Sequence, residues 1–301
     1  MPPTETAPLS LMELGMALRS GELSAIDHVS GVIEKLGADT YNTLVAMDAV
    51  AALDQAKRRD AELARGEWRG PLHGVAVGVK DLFDVAGLPT RAGSKVLAGS
   101  EFATADAPVV ARLREAGAVI VAKLHTHEFA FGPTGDVAAT GPARNPHDHE
   151  RITGGSSSGS AAAVAAGYLP LTLGTDTGAS VRTPAALCGV VGLKPSFGAL
   201  PTDGVFPLSE SCDHVGLFTA DVHGASVAWD VLARADGTGG GIQAPGVDGV
   251  TVGVPTDPYW KALDPVLDAA TAAAVERLRS RGATVVEVST PMIEELAAPT
   301  R

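Results

Sequence analysis

Short apolar runs alternating with helix-spaced segments predict an α/β chain: a central mixed, mostly parallel β-sheet flanked by helices on both faces. Composition points the same way, because 45% hydrophobic content with only 4% aromatics leaves Gly, Ala and Val to build the core, which suits close helix-on-sheet packing. At 301 residues the chain is long enough to bury a substantial core, as one large domain or two small ones.

The elements follow in order. Leu11, Leu14 and Leu18 recur at helix spacing, and after the Ser20-Gly21 break Ile26, Val29, Ile33 and Leu36 repeat the pattern, with Ser24 and Asp27 as a helix start. Residues 50–64, rich in Ala, Lys, Arg and Glu, read as a third, more exposed helix. Residues 1–70 are therefore expected to form a helical segment packed on an α/β core of 71–301, in one domain overall. From Gly74, Val75–Val79 reads as a strand, Ala107–Ala116 as a helix, Val119–Ala122 as a strand and Gly159–Ala166 as a small-residue helix. Apolar runs at 169–173, 184–187 and 190–193 and a helix over 222–235 come next. Gly237–Gly241 is the clearest break; beyond it a strand at 250–254, a helix at 265–279 and a strand at 284–288 are expected to continue the same sheet, since alone they could hardly bury a core. The stretch from Pro291 to Arg301 stops without a closing element, which raises the expectation of a fragment or truncated gene product.

Charge and composition exclude several function classes. A formal net charge of −12 argues against a nucleic-acid groove, which needs clustered Lys and Arg. Met1–Thr6 lacks the basic and apolar regions of an export signal, and no run approaches a transmembrane span, so a soluble cytoplasmic protein is expected. Cys188 and Cys212 read as two buried reduced thiols. His125-Thr126-His127 and His147-Asp148-His149 invite a metal site, but the second pair sits in a proline-flanked loop and hydrogen-bonded or solvated imidazoles are the preferred reading.

Two glycine-lined, hydroxyl-bearing loops carry the chemistry: Gly154-Gly155-Ser156-Ser157-Ser158-Gly159-Ser160 and Gly174-Thr175-Asp176-Thr177-Gly178-Ala179-Ser180. The first feeds an alanine-rich helix, so its amides point out of a helix N-terminus; the alternatives are a flexible linker and a G-x-S-x-G nucleophile elbow on Ser157, which lacks the preceding buried strand. In the second, the amides of Thr177, Gly178, Ala179 and Ser180 suit a nest for an oxyanion, with an ordinary tight turn as the alternative. Thr183 and Pro184 look like a helix cap and first helical residue, which leaves the Ser180 hydroxyl free. Upstream, Lys80 ends the run Val75-Ala76-Val77-Gly78-Val79 on the face of Ala76 and Gly78. Buried, its amine would lose its proton readily and serve as a base; on position alone, a solvated lysine beside Asp81 is the commoner outcome.

Residues 154–198, GGSSSGSAAAVAAGYLPLTLGTDTGASVRTPAALCGVVGLKPSFG, resemble the signature of the amidase signature family, and 74–93, GVAVGVKDLFDVAGLPTRAG, resemble its lysine segment. The resemblance extends from the N-terminal helices to about Val288. It implies an amidase that hydrolyses a carboxylic amide to carboxylate plus ammonia or amine, with Ser180 as nucleophile, Ser156 as bridging serine after a cis Gly155–Ser156 bond, and Lys80 as terminal base. Ser156 and Ser180 stand 24 positions apart, as the family motif prescribes. The resemblance implies no metal and no organic cofactor, a small-molecule amide as partner, no direct nucleic acid or membrane contact, and allows a homodimer. By the same resemblance, pocket walls come from segments such as 126–135 and 202–212. Ala179 stands where the family usually has glycine, and a positive φ there would strain it. Family members generally continue beyond the position of Arg301. Two alternatives stay open: the A-type component of a glutamyl/aspartyl-tRNA amidotransferase acting as a glutaminase, and an inactive truncated family member.

Overall fold

Side-chain caps set the starts of the N-terminal helices. The computed structural model describes residues 9–233, 246–257 and 264–290. Helix α1 (Leu11–Ser20) opens on a capping box in which Ser10 and Glu13 satisfy each other's amides, and ends at Gly21 in the left-handed conformation, φ 75°. Helix α2 (Ala25–Gly37) starts where the Ser24/Asp27 spacing predicts, with the Ser24 hydroxyl accepting the Asp27 amide. Asp48 caps α3 (Ala49–Ala64) in the same way.

Strands β1 (Leu44–Met47), β2 (Ala76–Lys80), β3 (Val119–Leu124), β4 (Leu171–Asp176), β5 (Val191–Leu193) and β6 (His214–Thr219) form one mixed sheet in the order β1-β3-β2-β4-β6-β5. Parallel pairing is confined to the central β3-β2-β4; the junctions β1-β3, β4-β6 and β6-β5 are antiparallel. The expected mixed sheet is present, but the parallel share is smaller than expected because two strands escaped the sequence reading. β1 is a four-residue strand between helices, inside the segment read as purely helical. β6 follows residues 194–213, which hold no helix, so the chain returns antiparallel instead of crossing over.

Helices α4 (Pro108–Glu115), α5 (Ser158–Ala165), α6 (Arg182–Cys188) and α7 (Val222–Ala233) complete this part. Alternation along β6 shows that both faces are covered. Val215 and Leu217 join the cluster containing Ala228, Val231 and Leu232 of α7, whereas Phe218 joins Ala161 and Val164 of α5 with Val181 and Ala185 of α6. Helix α5 needs small residues because it has no outer face: Ser158 through Val164 are all buried.

Several expectations are corrected. Thr183 is not the cap of α6; Val181 holds the N-cap position and Pro184 lies inside the first turn. Cys188 is buried, but Cys212 is exposed. The chain divides into two compact units after Ile242. In the second, β7 (Thr251–Pro255) and β8 (Thr284–Val288) pair with each other in parallel around α8 (Pro265–Ser280) and form their own two-stranded sheet, not further strands of the first. Periodicity identifies a strand but not its neighbour, which is why a continuation of the first sheet was the natural expectation. The glycine run 237–241, the end of the helix expected to reach 235, and Met1–Thr6 and Pro291–Arg301 lie outside the described residues. No helix among the described residues is long and apolar enough to cross a membrane.

Candidate active site

The C-terminal ends of the central strands bring the two serine loops and the lysine together. Lys80, the last residue of β2, is fully buried, and its Nζ lies 2.7 Å from Ser156 Oγ and 2.7 Å from Thr175 Oγ1. No ion pair reaches it among the described residues; its partners are hydroxyls. Burial therefore dominates and pushes the amine down to about 7, against the opposing pull of Asp176 and Asp213. The solvated strand-end lysine is thereby excluded.

Ser156 is also buried and follows a cis Gly155–Ser156 peptide bond. Its carbonyl accepts the His127 amide at 3.0 Å, and His127 Nδ1 accepts the Gly135 amide at 3.2 Å, which clasps the 132–135 loop onto the serine loop. Ser157 faces inward: its hydroxyl donates to Thr175 O and accepts from Thr175 N, so it is a stitch to β4 and not an elbow nucleophile. Its amide donates to Ser180 O at 3.3 Å, and this contact brings the second loop to the first. The Ser180 hydroxyl itself makes no hydrogen bond among the described residues, to Ser156 or to any other group.

Asp176 shapes the turn that presents Ser180. Its Oδ2 accepts the Val181 and Arg182 amides, and the Arg182 guanidinium grips both carboxylate oxygens. Burial works to raise this carboxyl, but Arg182 and the two amides together hold it below the ordinary carboxylate value. Because Asp176 takes the amides at the start of α6, no cap side chain is needed there. The four preceding amides, of Thr177, Gly178, Ala179 and Ser180, donate no hydrogen bond among the described residues. Gly178 is exposed with open space around it, and Ala179 is not among the residues with positive φ, so its methyl group is accommodated without strain.

A cavity of about 320 Å³ opens beside Thr177, lined also by Thr175, Leu82 and Ala130, by the 202–210 segment with Phe206 and Leu208, and by Asp213 and His214. Of the expected wall segments, 202–212 supplies most of the lining and 126–135 supplies Ala130. The histidine pairs have protein partners: His125 bonds Ser158 and Gly141 O, and His147 bonds Cys188 O. No group of three or more metal-ligating side chains converges among the described residues.

The sequence model of the family described as Amidase matches residues 28–300. The chain belongs to the amidase family. Among curated relatives, it is 38% identical to the A-type component of glutamyl-tRNA(Gln) amidotransferase from Chloroflexus aggregans, over 96% of this chain and 62% of that protein, and 41% identical to the protein of the same name from Symbiobacterium thermophilum, over 95% and 61%. Among solved structures, one described as an amidase superposes with a TM-score of 0.85 at 42% identity, covering 95% of this chain and 64% of the other. The native peptide amidase of Stenotrophomonas maltophilia gives 0.85 at 32% identity, covering 98% and 64%. The chain thus spans a little over three fifths of the length of these amidase-family relatives.

Sequence reasoning gave no role to Thr175, Asp176 or Asp213, and weighed Ser157 only as an elbow nucleophile. Asp176 and Arg182, six positions apart across the turn, are the one pair whose opposite charges could have signalled a link. The others are recognised only through their partners in space.

Proposed function

We propose that this amidase family member hydrolyses a carboxylic amide through an acyl-enzyme on Ser180, with Ser156 and Lys80 as the proton relay. The observation that carries this reading is the 2.7 Å contact between Ser156 Oγ and a fully buried Lys80 whose amine is pushed down to about 7. A neutral amine at that distance can take the Ser156 proton while Ser156 Oγ takes that of Ser180. Ser180 Oγ then bonds to the carbonyl carbon, and the negative charge that develops on the carbonyl oxygen is met by the amides of Thr177 to Ser180. The carbon–nitrogen bond breaks with its electron pair on nitrogen, which receives the relayed proton and departs as ammonia or an amine. Water repeats the sequence on the ester, releasing the carboxylate and restoring Ser180. No step in this scheme needs a metal or an organic cofactor.

A second reading has its own support. The curated relatives quoted above are named as amidotransferase components, so glutamine as the amide and partner proteins as the setting form the alternative. The experiment is to incubate the chain with a fluorophosphonate and with a panel of amides including glutamine. Ser180→Ala is expected to abolish labelling and to lower turnover roughly 10⁴-fold or more. Turnover retained by this variant would overturn the reading; glutaminase activity that arises only with partner proteins would favour the second.

A further inference from the structure

The outer wall of the cavity is anchored at two points. At one, the Phe206 amide donates to Leu82 O at 2.8 Å and Val205 bridges to Phe83, so the wall hangs from the residues just after Lys80. At the other, Asp213 does the anchoring. Its Oδ2 accepts the amides of Leu208 and Ser209, each at 2.9 Å, and its Oδ1 accepts the hydroxyl of Thr177, the first residue of the 177–180 loop. One carboxylate thus closes the 208–213 loop on itself and ties it to Thr177, which lines the cavity with it. Unlike Asp176, which is paired with Arg182, Asp213 has no basic partner among the described residues.

We propose that Asp213 is a positioning residue of the amidase site, holding Thr177, the head of the 177–180 loop, against the 208–213 wall of the cavity. The inference rests on the hydrolytic reading above. Around Lys80 stand the Ser156 and Thr175 hydroxyls, the Asp176 carboxylate with its Arg182 partner, Asp213, and the His127 imidazole; the adjacent Asp81 is itself paired with Lys123. Of the two carboxylates that favour the charged amine, Asp213 is the one without a cation to offset it, so removing its charge leaves Lys80 more readily deprotonated.

The test follows the rate at which a fluorophosphonate labels Ser180 as a function of pH, a readout independent of the natural amide. In that reaction the Ser180 oxygen–phosphorus bond forms, the phosphorus–fluorine bond breaks, fluoride leaves and the hydroxyl proton enters the relay. Asp213→Asn keeps an acceptor for the loop amides but drops the charge; the acid limb of the profile is expected to move down by about half a pH unit, a roughly threefold gain in the rate at pH 6 relative to pH 9. Thr177→Val cuts the tie without touching the charge and is expected to slow labelling several-fold at every pH with the acid limb in place, and Thr177→Ser is expected to restore the rate. An unchanged rate in Thr177→Val would overturn the inference. Should Asp213→Asn fail to fold, the valine and serine variants still decide the positioning role. Absence of labelling in the unaltered chain would instead reject the hydrolytic reading, and the inference with it.

Discussion

At the scale of the residue, the balance between burial and charge decides what Lys80 does. Desolvation outweighs the two nearby carboxylates, so the amine is half neutral near neutral pH, where an ordinary lysine would be fully charged. Only the neutral form accepts a proton, and the rate of Ser180 acylation is therefore expected to rise with pH and level off above about 7; a profile flat from pH 5 to 9 would contradict the base role. The adjoining pair Asp81–Lys123, 3.2 Å apart and both fully buried, is the contrasting case. Burial pushes the Asp81 carboxyl up and the Lys123 amine down, and each partner resists the other's shift. Asp81→Ala would strand Lys123 without its counter-ion and is expected to cost about 3–5 kcal/mol, measurable by denaturant unfolding. Alternation along β2 set Lys80 on the face of Ala76 and Gly78, and the family resemblance implied its tie to Ser156; its burial and its Thr175 partner were not legible, because they depend on segments distant in sequence.

At the scale of the element, α5 shows how the small-residue run builds the site. The helix is buried along its length, and Gly159 lets it approach β3 so closely that a Cβ there would lie 2.5 Å from the His125 amide nitrogen and 2.7 Å from Thr43 O. Those are backbone atoms, which no rotamer change can move aside. Gly159→Ala gains up to about 1 kcal/mol of helix propensity but forces the helix off the sheet, and a net destabilisation of about 1–3 kcal/mol is expected from thermal or chemical melting. The existence of this helix was readable from its alanines. The start of α6 was misassigned to Thr183 because a side chain from β4, Asp176, takes the amides that a local cap would have taken. Strands β1 and β6 were invisible for a related reason: their place is set by the partners β3 and β4, and neither carries a long apolar run of its own.

For the molecule as a whole, the buried amine at the end of β2 links stability to pH. The Lys80 pKa is about 7 when folded and near 10.5 when unfolded, so between those values the unfolded chain binds more protons and stability rises with pH. Below about 7 the cost of a buried ammonium is present in full. Lys80→Met is accordingly expected to be more stable than the unaltered chain at pH 6 by a few kcal/mol, with the advantage shrinking steadily toward pH 10; a difference independent of pH would show that the amine titrates normally in the fold. Half-buried His28 and buried His125 act in the same direction at lower pH, since desolvation holds both below their ordinary value and their neutral form is the folded one.

The amino-acid sequence by itself determined the α/β class and the positions of most helices and central strands, and it marked two glycine-lined hydroxyl loops and a strand-end lysine as candidates for the site, because periodicity and loop composition are local properties. Only the tertiary structure decided that Lys80 is buried against Ser156 and Thr175, that the amides of 177–180 are left unspent, and that residues 251–288 pair among themselves. Those outcomes depend on desolvation and on hydrogen-bond partners from elsewhere in the chain, and no local pattern encodes either.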